Sequence, residues 1–173
     1  TANMKDEGLE GWREDNVSHY YGVITAHLLN RSETLSDEDL LRYDENIYHH
    51  TKRMNAKRGE PIRWKYFQYL SLLFTEIYLD RYFRDRDALR AELNAYVKTY
   101  NGQAEKPDQI DVYENGLNKI AYWSATGSGK TLLMHINILQ YQHYLQKLTL
   151  MTNIMNLENN FRVQLVAVKA SVL

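Results

Sequence analysis

The stretch Lys119-Ile-Ala-Tyr-Trp123-Ser124-Ala125-Thr126-Gly127-Ser128-Gly129-Lys130-Thr131 decides how this chain is read. Its first five residues form a short apolar run suited to a buried strand, and two glycines follow at once. From Thr131 to Gln146, Leu132, Ile136, Leu139 and His143 recur at helical spacing. Strand, glycine loop, helix is the order of a phosphate-binding unit. Polyphosphate needs many donors at close range with no bulky side chain in the way. Glycines let successive backbone N–H groups turn inward, and the following helix adds the partial positive charge of its N-terminus. Ala125, Thr126, Gly127, Ser128, Gly129, Lys130 and Thr131 are therefore the candidate contacts to ATP and Mg²⁺. Lys130 would reach the β- and γ-phosphates, and the Thr131 hydroxyl would complete the metal's shell. From average residue usage, T-G-x-G-K-T arises by chance in a chain of this size roughly once in several thousand.

The strict phosphate-loop pattern begins with Gly, and this chain has Ser124 there. Ala-Thr-Gly-Ser-Gly-Lys-Thr after a non-Gly first position resembles motif I of the superfamily 2 helicases and translocases. The restriction-type branch, with the ATP-driven subunits of type I and type III restriction enzymes and related phage-defence helicases, is the most similar. The resemblance covers residues 119–145. Upstream, Trp64-Lys-Tyr-Phe-Gln68-Tyr-Leu is similar to the aromatic-Gln helix that precedes motif I in these proteins, which would make Gln68 the adenine-recognition residue. Gln68 and Lys130 lie further apart than is usual, so a helix over 85–100 must be inserted between them. The alternative for Gln68 is a single polar residue on a buried helix.

Outward from this unit the chain reads as helical. Residues 1–16 are polar and form a loose lead-in. Val17 to Leu29 suits a helix with Tyr20, Val23, Ile24, His27 and Leu28 near one face. Ser36 and Asp39 resemble a capping box, with Asp37, Glu38 and Asp39 at the positive end of the helix dipole. That helix carries Leu40, Leu41, Tyr43 and Ile47 and stops near Gly59. Pro61 suits the first turn of the next helix, where its missing N–H costs nothing. From Ile62 to Phe83 apolar groups fall on nearly every face, the pattern of a central helix. Asp85 to Tyr100 makes another, stopped at Asn101-Gly102, and 101–116 reads as a linker. Leu148 to Asn160 is Asn-rich without a clear period, and Phe161 to Val168 alternates well enough for a second strand.

The expected fold is thus a mainly α N-terminal region, 1–115, leading into the start of an α/β RecA-like P-loop domain, 116–173, with an incomplete parallel sheet. The resemblance implies an ATP-dependent DNA helicase or translocase, with DNA as partner and nuclease or methyltransferase subunits as further partners. Hydrolysis needs a carboxylate for the metal and a group that orients water. In the family a strand ending in Asp-Glu supplies them. After Lys130 only Glu158 is acidic, in an Asn-rich stretch, and it reads as a surface residue. The chain therefore reads as the N-terminal part of a longer motor, or a truncated copy of one. A chain that starts with Thr rather than Met fits a fragment or a processed product.

Composition narrows the alternatives. The chain has 173 residues, a net charge of −1, 44% hydrophobic side chains and no cysteine, which excludes disulfides and thiolate chemistry. No apolar run suggests a membrane span or a secretory leader, so a cytoplasmic location is expected. Six cations between Lys52 and Lys65, opposed only by Glu60, suit DNA phosphates, although such a run also makes a solvated helix end. His49 and His50 are adjacent and cannot chelate one ion from a helix; His135 and His143 read as core or surface residues. The rival functions are a small P-loop kinase, disfavoured because its loop would stand near the N-terminus, and a helical interaction module with a vestigial loop.

Overall fold

The computed structural model describes residues 2–28, 35–103, 110–111, 113–114, 117–122 and 125–170. Among the described residues, two short 3-10 turns, Ala2–Lys5 and Glu7–Leu9, lead to five helices: α1 (His19–Leu28), α2 (Asp37–Asn55), α3 (Tyr66–Arg84), α4 (Arg86–Asn101) and α5 (Lys130–Ala170). The lead-in is not loose. Met4 is buried, and Trp12 and Ser18 make an isolated antiparallel bridge.

The helix boundaries follow local chemistry. Ser36 Oγ accepts the N–H of Asp39 at 3.1 Å and caps α2, while Asp37, Glu38 and Asp39 occupy its first turn. Asp85 does both jobs at the α3–α4 corner. Its N–H bonds back to Arg81 O, and its side chain accepts the N–H of Ala88 at 2.9 Å. One extended residue is thus enough to turn the chain between two helices. Pro61 does not start a helix: residues 61–65 run without helical turns, and α3 begins only at Tyr66. Ile62 and Trp64 are buried there, and the Trp64 indole N–H needs a buried acceptor, which Thr51 Oγ1 provides at 2.8 Å. Those anchors hold the segment straight and delay the helix.

Most of the buried apolar side chains among the described residues form one cluster. Tyr20 and Ile24 of α1, Leu40, Tyr43 and Ile47 of α2, Trp64, Tyr69, Leu72 and Leu73 on and before α3, and Leu133 and Ile136 of α5 pack together. Helix α3 is central, as its apolar pattern predicts, touching α2, α4 and α5. It also buries polar groups that the pattern does not forecast. Glu76 Oε2 accepts from Asn46 at 3.0 Å and from the Tyr144 hydroxyl at 2.7 Å. Asp80 accepts from Tyr43 at 2.9 Å and pairs with Arg84 at 2.5 Å and Arg42 at 3.3 Å. Burial of these carboxylates is tolerated because donors from α2, α3 and α5 replace water.

The expected RecA-like sheet is overturned: among the described residues there is no β-strand. Residues 119–122 of the presumed first strand have no regular structure, and Trp123 lies outside the described residues. A strand needs a neighbour to take up its backbone hydrogen bonds. The presumed second strand, 161–168, lies inside α5 instead. Residues 130–170 contain no Gly or Pro, so nothing interrupts the i→i−4 ladder, and the helix runs for 41 residues through the Asn-rich stretch as well.

The linker after α4 is tied down where it is described. Asn101 exchanges two hydrogen bonds with the backbone of Ile110, at 2.7 and 2.9 Å. Asn94, two turns earlier on the same face, does the same with Tyr113 at 3.0 and 2.7 Å. Each amide has one donor end and one acceptor end, matching one residue's C=O and N–H. This double clamp holds the chain along α4 before it crosses to the loop. Further on, Tyr78 hydrogen-bonds the carbonyl of Leu117, and the Tyr122 and Thr75 hydroxyls meet at 2.6 Å. No helix among the described residues is long and apolar enough to cross a membrane.

Candidate nucleotide-binding loop

Helices α3 and α5 run side by side in the same direction. Gln68, Leu72 and Glu76 of α3 meet Ser128, Gln140 and Tyr144 in the same order along the chain. The N-terminal ends of both helices therefore lie at the same end of the bundle, and residues 125–129 turn there. Gly127 has φ +77° and Gly129 φ +81°, left-handed values that L side chains rarely adopt. Both glycines are thus required by the backbone, in agreement with the motif. The N–H of Ser128 closes a turn onto Ala125 O at 3.3 Å, and the helical ladder begins with Leu133 N to Gly129 O at 3.0 Å. The first-turn N–H groups of α5 have no helical acceptor behind them. They open toward the loop with the positive end of the helix dipole.

Within this turn the predicted residues are placed as follows. Ala125, Thr126 and Gly127 are exposed, Ser128 and Gly129 are half-buried, and Lys130 and Thr131 are exposed on the first turn of α5. Lys130 folds back over the loop, its Nζ donating to Ala125 O at 2.8 Å. A polyphosphate entering the cradle would take that ammonium from the carbonyl. Ser128 Oγ is buried with no hydrogen-bond partner, an orphaned polar atom at the centre of the turn. Thr131 stands exposed on the first turn of α5, the place from which its hydroxyl would ligate a phosphate-bound Mg²⁺. The donor set fits a polyphosphate and one oxygen ligand of a divalent cation.

Gln68 is brought to the loop across sixty residues of sequence. Its Nε2 donates to Ser128 O at 2.9 Å, and its Oε1 accepts the N–H of Lys65 at 2.9 Å, capping the N-terminus of α3. A Cβ on Gly129 would stand 2.6 Å from Gln68 Nε2, so the amide lies directly against the loop. One donor and one acceptor site of the amide are used this way, and a primary amide has two of each. The helix expected between Gln68 and the loop is α4, displaced to the outer side of α3 so that the two meet despite it. Sequence reasoning missed the capping half of this role. Its signal is a Gln three residues after the last extended position, obscured because Lys65 is not a capping residue.

The hydrolytic carboxylate expected of the family is not among these groups. Glu76 and Asp80 lie eight and twelve residues beyond Gln68, ~12 and ~18 Å along the helix axis, and are committed to Tyr144, Asn46, Tyr43 and arginines. The side chain of Glu158 and all of Ser124 lie outside what is described. No group of three or more His, Asp or Glu suited to a metal occurs among the described residues. His50 and His143 approach edge to face at 5.8 Å, with His50 Nε2 buried and unpartnered. Burial lowers the pKa of both rings, that of His50 to about 4, with His143 beside it adding to the shift. No family model, curated protein or solved structure matches the chain.

Proposed function

We propose that this chain is the ATP-binding N-terminal portion of an ATP-dependent DNA helicase or translocase of the restriction or phage-defence type, acting in the cytoplasm. The observation that carries the reading is the pairing of two left-handed glycines with Lys130 at the head of α5, beside the amide of Gln68. Phosphates would occupy the N–H cradle of residues 127–131, Lys130 would leave Ala125 O for the β- and γ-phosphates, and Thr131 would ligate Mg²⁺. Gln68 would offer its second amide hydrogen to the adenine edge. The motor part of the reading rests on the motif I resemblance, and nuclease or methyltransferase partners rest on it alone. Carboxylates for hydrolysis would come from residues beyond this sequence.

Thermal unfolding with and without Mg·ATP tests the binding. Saturation at about one hundred times Kd adds ~2.7 kcal/mol, a rise in Tm of ~5–10 °C for a chain of this size. Lys130→Ala abolishes the rise. No protection in the native protein refutes the reading and leaves the helical interaction module, the second reading, favoured by the helices that make up most of the described residues. ATPase activity stimulated by DNA, measured in a longer protein, separates the motor from a metabolite kinase.

A further inference from the structure

The cations between Lys52 and Lys65 are absorbed neither by the core nor by the loop. The chain as a whole carries −1, while residues 52–65 hold six cations and one carboxylate, so this short segment is at +5 and the remainder at −6. Lys52, Arg53, Lys57, Arg58, Arg63 and Lys65 are all exposed. Lys65 pairs with Glu10 at 3.4 Å, and Lys52 lies 5.7 Å from the centre of the Tyr48 ring. Among the described residues the other four have no acidic partner.

The segment is also rigid. The last turn of α2 ends with Ala56 N bonded to Lys52 O and Arg58 N bonded to Asn55 O. Asn55 Oδ1 then accepts the N–H of Ile62 at 2.9 Å, stitching the far side of the turn back to the helix. Residues 61–65 alternate outward and inward, with Ile62 and Trp64 seated in the core and Arg63 and Lys65 projecting out. Two residues along an extended chain span ~7 Å, and the segment that carries these two cations is tied to the end of α2 by the Ile62 N–H on Asn55 and the Trp64 indole on Thr51. Negative carbonyls at the end of α2 account for Lys52 and Arg53; they do not account for Lys57, Arg58 or Arg63.

We propose that residues 52–65 form a preformed, sequence-independent contact surface for the phosphate backbone of duplex DNA. The naming of DNA rests on the proposed function, but the surface acts without nucleotide. Its chemistry favours duplex over the alternatives. The one aromatic ring in the segment, Trp64, is 2% exposed and offers no stacking platform for unpaired bases. No large apolar side chain of the segment is exposed, so nothing would enter a bilayer as an amphipathic anchor does.

Fluorescence anisotropy of a labelled 20-bp duplex, titrated with the 173-residue chain from about 50 to 200 mM salt without ATP, tests this directly. The expected slope of log affinity against log salt is about −3 to −4, as for four phosphate contacts. Lys57→Glu/Arg58→Glu/Arg63→Glu weakens binding at low salt at least ~10-fold and flattens the slope by about 2 to 3. Lys98→Glu, an exposed cation on α4, leaves both unchanged. If the triple variant unfolds, Lys57→Gln/Arg63→Gln gives a smaller loss of the same sign. Absence of DNA binding, equal damage from Lys98→Glu, or binding to anionic phosphatidylserine vesicles in place of DNA overturns the proposal. DNA binding without ATP protection sinks only the nucleotide reading, and ATP protection without DNA binding sinks only this one.

Discussion

Replacing Gly129 with alanine probes the contact that joins α3 to the loop. Two separate costs arise. A non-glycine residue at φ +81° is strained by ~1–2 kcal/mol. The new Cβ would also stand 2.6 Å from Gln68 Nε2. The amide is the end of a flexible side chain and swings away, giving up its bond to Ser128 O, worth ~1 kcal/mol net. Gly127→Ala carries the first cost alone, because its Cβ would meet nothing within 4 Å at a similar φ of +77°. Gly129→Ala is therefore expected to cost ~2–3 kcal/mol and Gly127→Ala about one less. In a Gln68→Ala background the difference vanishes, since the colliding and bonding partner is gone. Urea unfolding of the two alanine variants, each in both backgrounds, gives the coupling directly. Equal losses for the two glycines, or a Gly129→Ala loss unchanged by Gln68→Ala, would refute the placement of Gln68 against the loop.

Two further outcomes are expected. Burial pushes Asp44 up to about 6, so from about pH 4 to 6 the native state holds a proton that the unfolded chain gives up, and stability falls by up to ~3 kcal/mol as pH rises. His50, lowered by burial to about 4, acts oppositely across about pH 4 to 6.5, losing stability as pH falls; Asp44→Asn therefore steepens the rise of urea-unfolding stability with pH, and a flat profile in that variant contradicts the assignment. Tyr144→Phe removes a 2.7 Å donor from Glu76, whose other oxygen is already unpartnered, and costs ~1–3 kcal/mol at pH 7; because burial raises Glu76 and the lost bond raises it further, the penalty measured at pH 5 is smaller.

Local chemistry was legible in the chain wherever a few neighbouring residues settle it. Ser36 caps α2 because a hydroxyl three residues from an N–H reaches it whatever the rest of the molecule does. The glycines at 127 and 129 adopt left-handed backbone, and the apolar run read from Ile62 to Phe83 forms the central helix, although that helix starts only at Tyr66. The sheet was not legible. An apolar run such as 119–122 suits a strand only if another strand pairs with it, and that pairing is a long-range fact. The alternation over 161–168 weighed less than the absence of any Gly or Pro from Lys130 onward, which let one helix continue.

By itself, then, the sequence determined the turn, its lysine and the start of the helix that follows, since each rests on sterics or hydrogen bonds within a few residues. Tertiary structure alone decided that Gln68 meets Ser128, that Glu76 and Asp80 are buried with donors from other helices, and that Asn94 and Asn101 clamp the following chain. Each of these joins groups distant along the chain, and a polar side chain shows no sign of its partner until packing removes the water that otherwise satisfies it.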